Sequence, residues 1–190
     1  MFSGRALKYF GALTTLSSLL VYHYRPFTST ILFESAETKL LSKYIKTPFK
    51  VEHIPISNDN YLNTLTVFTD ESKPNLVLMH GWSSGLALWA KNIDELAEKY
   101  NVYAVDLLGF GRSARPYFPR ASGATPDQAK EFWINSFHEW KMKMFNDSKI
   151  QLLGHSLVNF IHYFYFSFRK DYLFYRVIEL GWFSVMYIRP

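Results

Sequence analysis

Three short apolar runs mark the middle of the chain: Leu76-Val77-Leu78-Met79, Val102-Tyr103-Ala104-Val105, and Ile150 to Leu153. Unbroken runs of this length fit strands buried on both faces. Each gives way to a glycine-containing loop: His80-Gly81-Trp82-Ser83-Ser84-Gly85, then Leu107 to Ser113 beyond Asp106, then Gly154-His155-Ser156. Between them the pattern turns helical. Leu88 to Tyr100 reads as one amphipathic helix. A second helix opens at Pro126-Asp127, where proline and an acid suit an N-terminus. It carries Trp133, Phe137, Trp140 and Met144 at steps of 4, 3 and 4, a stripe read as core rather than as a ligand box. Upstream, AETKLLSKYI, ending at Ile45, has helical spacing. Phe49–Pro55 and Tyr61–Phe68 read as strands joined by the turn-like SNDN at 57–60. DESKPN at 70–75 is a polar turn, and 115–126, rich in Pro, Gly and Ser, is a linker or loop.

Strands alternating with helices predict an α/β fold with right-handed crossovers and a mostly parallel sheet. Ligands of such sheets bind beyond the carboxyl ends of the strands. His80, Asp106 and Ser156 each stand at such an end, which joins three weak motifs into one candidate site. Gly154-His155-Ser156 at a strand-to-helix turn has the form of a nucleophile elbow. Ser156 is the candidate nucleophile. The backbone N–H of Leu157 would face an oxyanion, with the N–H of Trp82 as second donor. His80, Gly81, Gly154, His155 and Asp106 are expected to shape the loops around it. Gly109-Phe110-Gly111 lacks the third glycine of a dinucleotide fingerprint. Neither a metal nor a cofactor is expected.

The first thirty residues contain no Asp or Glu, and Arg5, Lys8 and Arg25 are their fixed charges. Leu7, Phe10, Leu13, Leu16 and Leu20 share one helical face. The mostly apolar run from Tyr9 to Tyr22 is short for a bilayer span, which needs about 20 residues. A mitochondrial presequence, a short membrane anchor, a secretory signal and a helix packed on the domain all remain open. The net charge of +5 and pI near 9.3 favour anionic surfaces. Clustered Lys/Arg blocks are absent, so nucleic acid is not an expected partner. With no cysteine, disulfides and thiolate metal sites are excluded.

HGWSSGLALW, VYAVDLLGFGRSARPYF and LLGHSL together resemble the α/β-hydrolase superfamily. More narrowly, they resemble the branch of the lipid-droplet lipase co-activator and N-acyl-phosphatidylethanolamine lysophospholipase, over roughly residues 27–157. The resemblance implies phospholipid or lysophospholipid acyl esters as substrates at a membrane or lipid-droplet surface. The implied setting is intracellular, at the mitochondrion or at the lipid droplet and endoplasmic reticulum. It also implies a lipase as a partner in the alternative, non-catalytic adaptor reading. Co-activator members lack the serine that this chain keeps. The His-x-x-x-x-Asp motif tied to acyl transfer is absent, since none of the six histidines has Asp at the fifth position after it.

The pattern then breaks. A triad in this fold runs Ser, acid, His along the chain. After Ser156 the sequence holds only His162, followed by Asp171 and Glu179. Without a base, a serine hydroxyl is a poor nucleophile, so this form is expected to be inactive. Residues 158–190 hold 12 of the chain's 35 aromatics. Val158-Asn159 could be encoded by an intron donor sequence, so 158–190 are read as a retained intron or gene-model error, against a genuine membrane-lying aromatic helix. The expected organisation is 1–30 targeting or membrane-associating, 31–157 the N-terminal half of an α/β-hydrolase domain, and 158–190 a tail of separate origin. Such a half-sheet should expose an apolar edge beside the third run.

Overall fold

The computed structural model describes residues 31–117, 125–146, 148–155, 174–180 and 183–189. Two compact units divide the chain, 1–39 and 40–190. Helix α1 spans 31–44. The sheet strands are β1 (Lys50–Pro55), β2 (Tyr61–Val67), β3 (Asn75–Met79), β4 (Asn101–Val105), β5 (Gln151–His155), β6 (Phe174–Leu180) and β7 (Phe183–Arg189). They form one sheet in the order β1-β2-β4-β3-β5-β7-β6.

The three apolar runs become β3, β4 and β5, paired in parallel with Met79 opposite both Val105 and Gly154. Side chains alternate across this sheet. Val77, Met79, Tyr103 and Val105 pack with Phe137 and Trp140 of helix α3 (Pro126–Phe145). Leu76, Leu78, Val102 and Ala104 pack on the other side with Leu41, Ile45 and Ile93. Burial on both faces is why these runs are unbroken rather than alternating. Phe137 and Trp140 are fully buried, as the helical stripe predicts, while Trp133 and Met144 are partly buried at the margin of the same cluster. Burying two such rings contributes about 2–3 kcal/mol each. Thr125 starts α3 by a capping box with Gln128, satisfying two orphan backbone donors.

The parallel region is confined to these three strands, so the sheet is mixed rather than mostly parallel. Short connections account for the β1–β2 and β6–β7 pairs, because antiparallel neighbours can be joined by two residues and parallel ones cannot. Asn58 and Asp59 both have positive φ, 58° and 55°. They close the β1–β2 hairpin as its two central turn residues. Residues 181–182 separate β6 from β7, also antiparallel. β7 pairs along β5 from Gln151 to His155, so β5 is not the exposed edge expected of it. The aromatic and β-branched residues of 174–180 and 183–189 suit strands better than the helix considered for the tail.

A second expectation also fails. Leu88–Tyr100 is not one helix but a 3-10 turn (Leu86–Trp89) followed by short helix α2 (Ile93–Ala97). Tertiary bonds hold the start of the segment and its middle. The Leu86 N–H donates to Asp106, and Asp94 accepts from the Lys46 and Thr47 N–H groups. Hydrogen bonds Leu88 to Gly85, Ala90 to Ala87 and Asn92 to Trp89 keep the first half in the tighter winding. Among the described residues no helix is long and apolar enough to cross a membrane; residues 1–30 lie outside them.

Asn101 begins β4 and is buried. Its Oδ1 accepts from the Thr69 and Asp70 N–H groups, and its Nδ2 donates to the Asp70 and Lys73 carbonyls. One amide thereby fixes the polar turn at 70–75. Asn101→Ala should lower unfolding stability by about 2–3 kcal/mol, read as a lower urea midpoint at unchanged m-value.

Candidate active site

Parallel pairing brings the carboxyl ends of β3, β4 and β5 to one edge of the sheet. His80 follows β3, Asp106 follows β4 and His155 ends β5. Strand geometry thus continues two residues further than the sequence suggests, with Gly154 and His155 inside β5 rather than in the turn. Ser156 and Leu157 lie outside the described residues, as does His162.

Asp106 is fully buried. Its Oδ1 accepts from the Leu86 N–H at 2.6 Å. Its Oδ2 accepts from Asn63 Nδ2 and from the Arg112 N–H, each at 2.8 Å. Burying a carboxylate costs several kcal/mol, and three hydrogen bonds to a charged acceptor, about 1.5–3 kcal/mol each, offset it. The approach requires glycine nearby. A Cβ on Gly111 would lie 2.2 Å from the Asp106 carboxylate, and Gly111 also has φ of +49°. Ser113 completes the lock, its Oγ donating to the Asp106 carbonyl and accepting from the Asn63 N–H. The Asp106–Ser113 segment is therefore a loop wound around its own carboxylate.

His80 is fully buried beside it. Its Nε2 accepts from the Leu107 N–H at 3.0 Å, and its Nδ1 lies 2.7 Å from the Gly81 carbonyl. A lone pair on Nε2 and a proton on Nδ1 satisfy both contacts, which assigns the neutral tautomer. Nε2 also stands 3.8 Å from Asp106 Oδ1, but with its lone pair facing a backbone N–H this is proximity, not an ion pair. Burial depresses the His80 pKa below 6.5, outweighing the opposing Gly81 hydrogen bond and Asp106 charge. With both nitrogens engaged, His80 is not a general base.

The consequence falls on the next peptide. It is trans, so fixing the Gly81 C=O toward the imidazole turns the Trp82 N–H the opposite way, away from the buried ring. The Trp82 side chain is 66 % exposed and meets Phe110 edge-on at 5.3 Å. Phe110 in turn packs against His80 and Trp133. Asn63 is the site residue the sequence reading missed. Its only local signal is an amide within the apolar pattern of β2. Among the described residues no group of three or more His, Asp or Glu could hold a metal.

Two outcomes follow. Asp106→Asn replaces an acceptor oxygen with an NH2 facing backbone donors, and should cost about 3 kcal/mol in chemical unfolding. His80 should make stability pH-dependent. The unfolded state takes up its proton first, so stability is full above about pH 6.5 and declines as pH falls through the lower folded pKa. Asp70, Asp94 and Glu139 have pKa values held below the ordinary carboxylate range by hydrogen bonds, so their losses belong to more acidic pH. Urea midpoints at pH 7 and 5 should therefore differ less in His80→Gln than in the parent.

Known proteins resemble this chain in sequence and in fold. Residues 74–157 match the family model described as alpha/beta hydrolase fold. A 1-acylglycerol-3-phosphate O-acyltransferase (ABHD5) of Rattus norvegicus is 41 % identical over 135 residues, 70 % of this chain and 37 % of that one. A (lyso)-N-acylphosphatidylethanolamine lipase of Homo sapiens is 35 % identical over 135 residues, 70 % of this chain and 38 % of that one. The chain thus spans well under half the length of these relatives. Among solved structures, a bacterial membrane phospholipase A superposes with TM-score 0.54 at 21 % identity, covering 89 % of this chain and 49 % of that one. Carboxylesterase CesB of Bacillus subtilis gives 0.53 at 21 %, covering 73 % and 45 %. In sequence and in fold, the chain belongs to the alpha/beta hydrolase family.

Proposed function

We propose that this protein is a serine hydrolase of phospholipid or lysophospholipid acyl esters, working at a membrane or lipid-droplet surface. The carrying observation is the carboxyl end of β5 at His155, on the sheet edge where the His80 and Asp106 loops gather. Ser156 is the next residue in sequence after that strand end. In this reading Ser156 attacks the acyl carbonyl. The negative charge that develops on its oxygen is met by the N–H groups of Trp82 and Leu157. The relatives named for lysophospholipid and glycerophosphate chemistry support the substrate class. The acid-free, basic 1–30 segment supports a membrane-surface setting, at the mitochondrion, lipid droplet or endoplasmic reticulum.

One observation favours a second reading. No acid followed by histidine comes after Ser156 in this sequence. The second reading is an adaptor that regulates a lipase without itself turning over lipid.

Transcript sequencing across the Leu157 codon defines the product to assay. That product should release fatty acid from lysophospholipid micelles, and Ser156→Ala should lower kcat about a thousandfold or more. Turnover untouched by Ser156→Ala refutes the assignment. A cellular lipid effect that survives Ser156→Ala identifies the adaptor.

A further inference from the structure

A groove of about 550 Å³ lies on the outer side of α3. The β1–β2 turn forms one wall, α3 the other, and the Leu108 to Tyr117 stretch closes one end. Its place in the fold is informative. β2 runs antiparallel to β4, so the β1–β2 turn stands at the same end of the sheet as His80 and Asp106. Phe132 lines the groove and meets Trp133, which meets Phe110, which meets Trp82. A continuous row of rings therefore joins the groove to the candidate active site.

The walls are tied in advance. Glu139 on α3 accepts the Ser57 N–H at 2.7 Å, strapping the helix to the turn. Trp133 Nε1 donates to the Leu108 carbonyl at 3.1 Å, strapping it to the closing loop. A site held open by such bonds loses little entropy when a ligand enters.

The chemistry of the lining selects the ligand. In a chain of net charge +5, the charged lining residues among those described are Glu131 and Glu139. Lys143 and His138 act electrostatically on Glu139, but neither lines the groove, and among the described residues no Lys, Arg or His does. Tyr117, 87 % exposed, and Phe132 add aromatic faces, and Asn58 and Asn135 add amides. Carboxylate, π-face and amide together suit a cation whose charge sits on carbon-bound nitrogen. Two carboxylates in the lining favour a cationic group over an anionic one at that point.

We propose that this groove binds an organic ammonium group, carried by a small hydroxylated molecule or by a lipid head group. The proposal is independent of the hydrolase reading, because it requires nothing of Ser156.

The test titrates the uniformly 15N-labelled 190-residue protein with choline, and with 3,3-dimethyl-1-butanol, its uncharged isostere. Choline should give saturable shifts of the Asn58 and Asn135 side-chain amides and of the Tyr117 and Phe132 backbone amides. The isostere should give none. Glu131→Gln and Tyr117→Ala should each weaken binding about two- to fivefold, the range of an exposed cation–π or charge contact. Both positions are exposed, and unchanged shifts of core amides would show that the fold is intact. A parallel titration with lysophosphatidylcholine micelles separates the sources. Shifts with free choline assign the site to the ammonium group wherever it is carried, and shifts with micelles alone assign it to the lipid-borne head group. Equal response to the isostere, unchanged binding in both variants, or no saturable shift with either ligand overturns the proposal.

Discussion

A carboxylate without access to water must find its hydrogen bonds inside the protein, and Asp106 draws its three from separate parts of the chain. Asn63 comes from β2, Leu86 from the turn after β3, and Arg112 from the loop after β4. Removing the charge, or moving any one donor, leaves the others desolvated and unpaired. Gly85 and Gly111 crowd the same carboxylate so closely that neither position tolerates a side chain without displacement. The loops at this edge of the sheet are thus one object in energetic terms, although they are three in sequence.

His80 extends the same logic by one bond. Its ring is pinned at Nε2 by the backbone that follows Asp106, and it pins the Gly81 carbonyl through Nδ1. A histidine at a strand end invites a reading as acid–base catalyst. Here burial and two occupied nitrogens give it the work of a spacer, holding one peptide plane at a set angle. The direction of the Trp82 N–H is inherited from Asp106 through Leu107 and His80.

Much of this was legible in the sequence where the cause is local. The apolar runs mark β3, β4 and β5 to within two residues. SNDN gives the hairpin turn, and the Trp133–Met144 stripe gives the buried face of α3. What was not legible depends on partners distant in the chain. Asn63 reaches Asp106 across 43 residues, and nothing beside it in sequence signals that need. The break of the expected 88–100 helix coincides with bonds from distant residues just before it, at Leu86, and at its middle, at Asp94. The pairing of β7 with β5 likewise depends on a strand edge that no local pattern announces. At the site itself, the sequence could rank Ser156, His80 and Asp106 as strand-end residues. It could not reveal that His80 and Asp106 are sealed from solvent.

Strand β4 begins at Asn101 and gives way to Asp106, and both side chains are buried and fully engaged with loops at opposite ends of the sheet. The strand between them consists of five buried residues. In folding terms this makes the docking of β4 an all-or-none event. A half-inserted strand would bury either the amide or the carboxylate before its partners had arrived, at a cost of several kcal/mol. Partly zipped states of the central sheet are therefore too high in energy to accumulate. The same two polar residues that organise the loops also give the middle of the sheet its cooperativity.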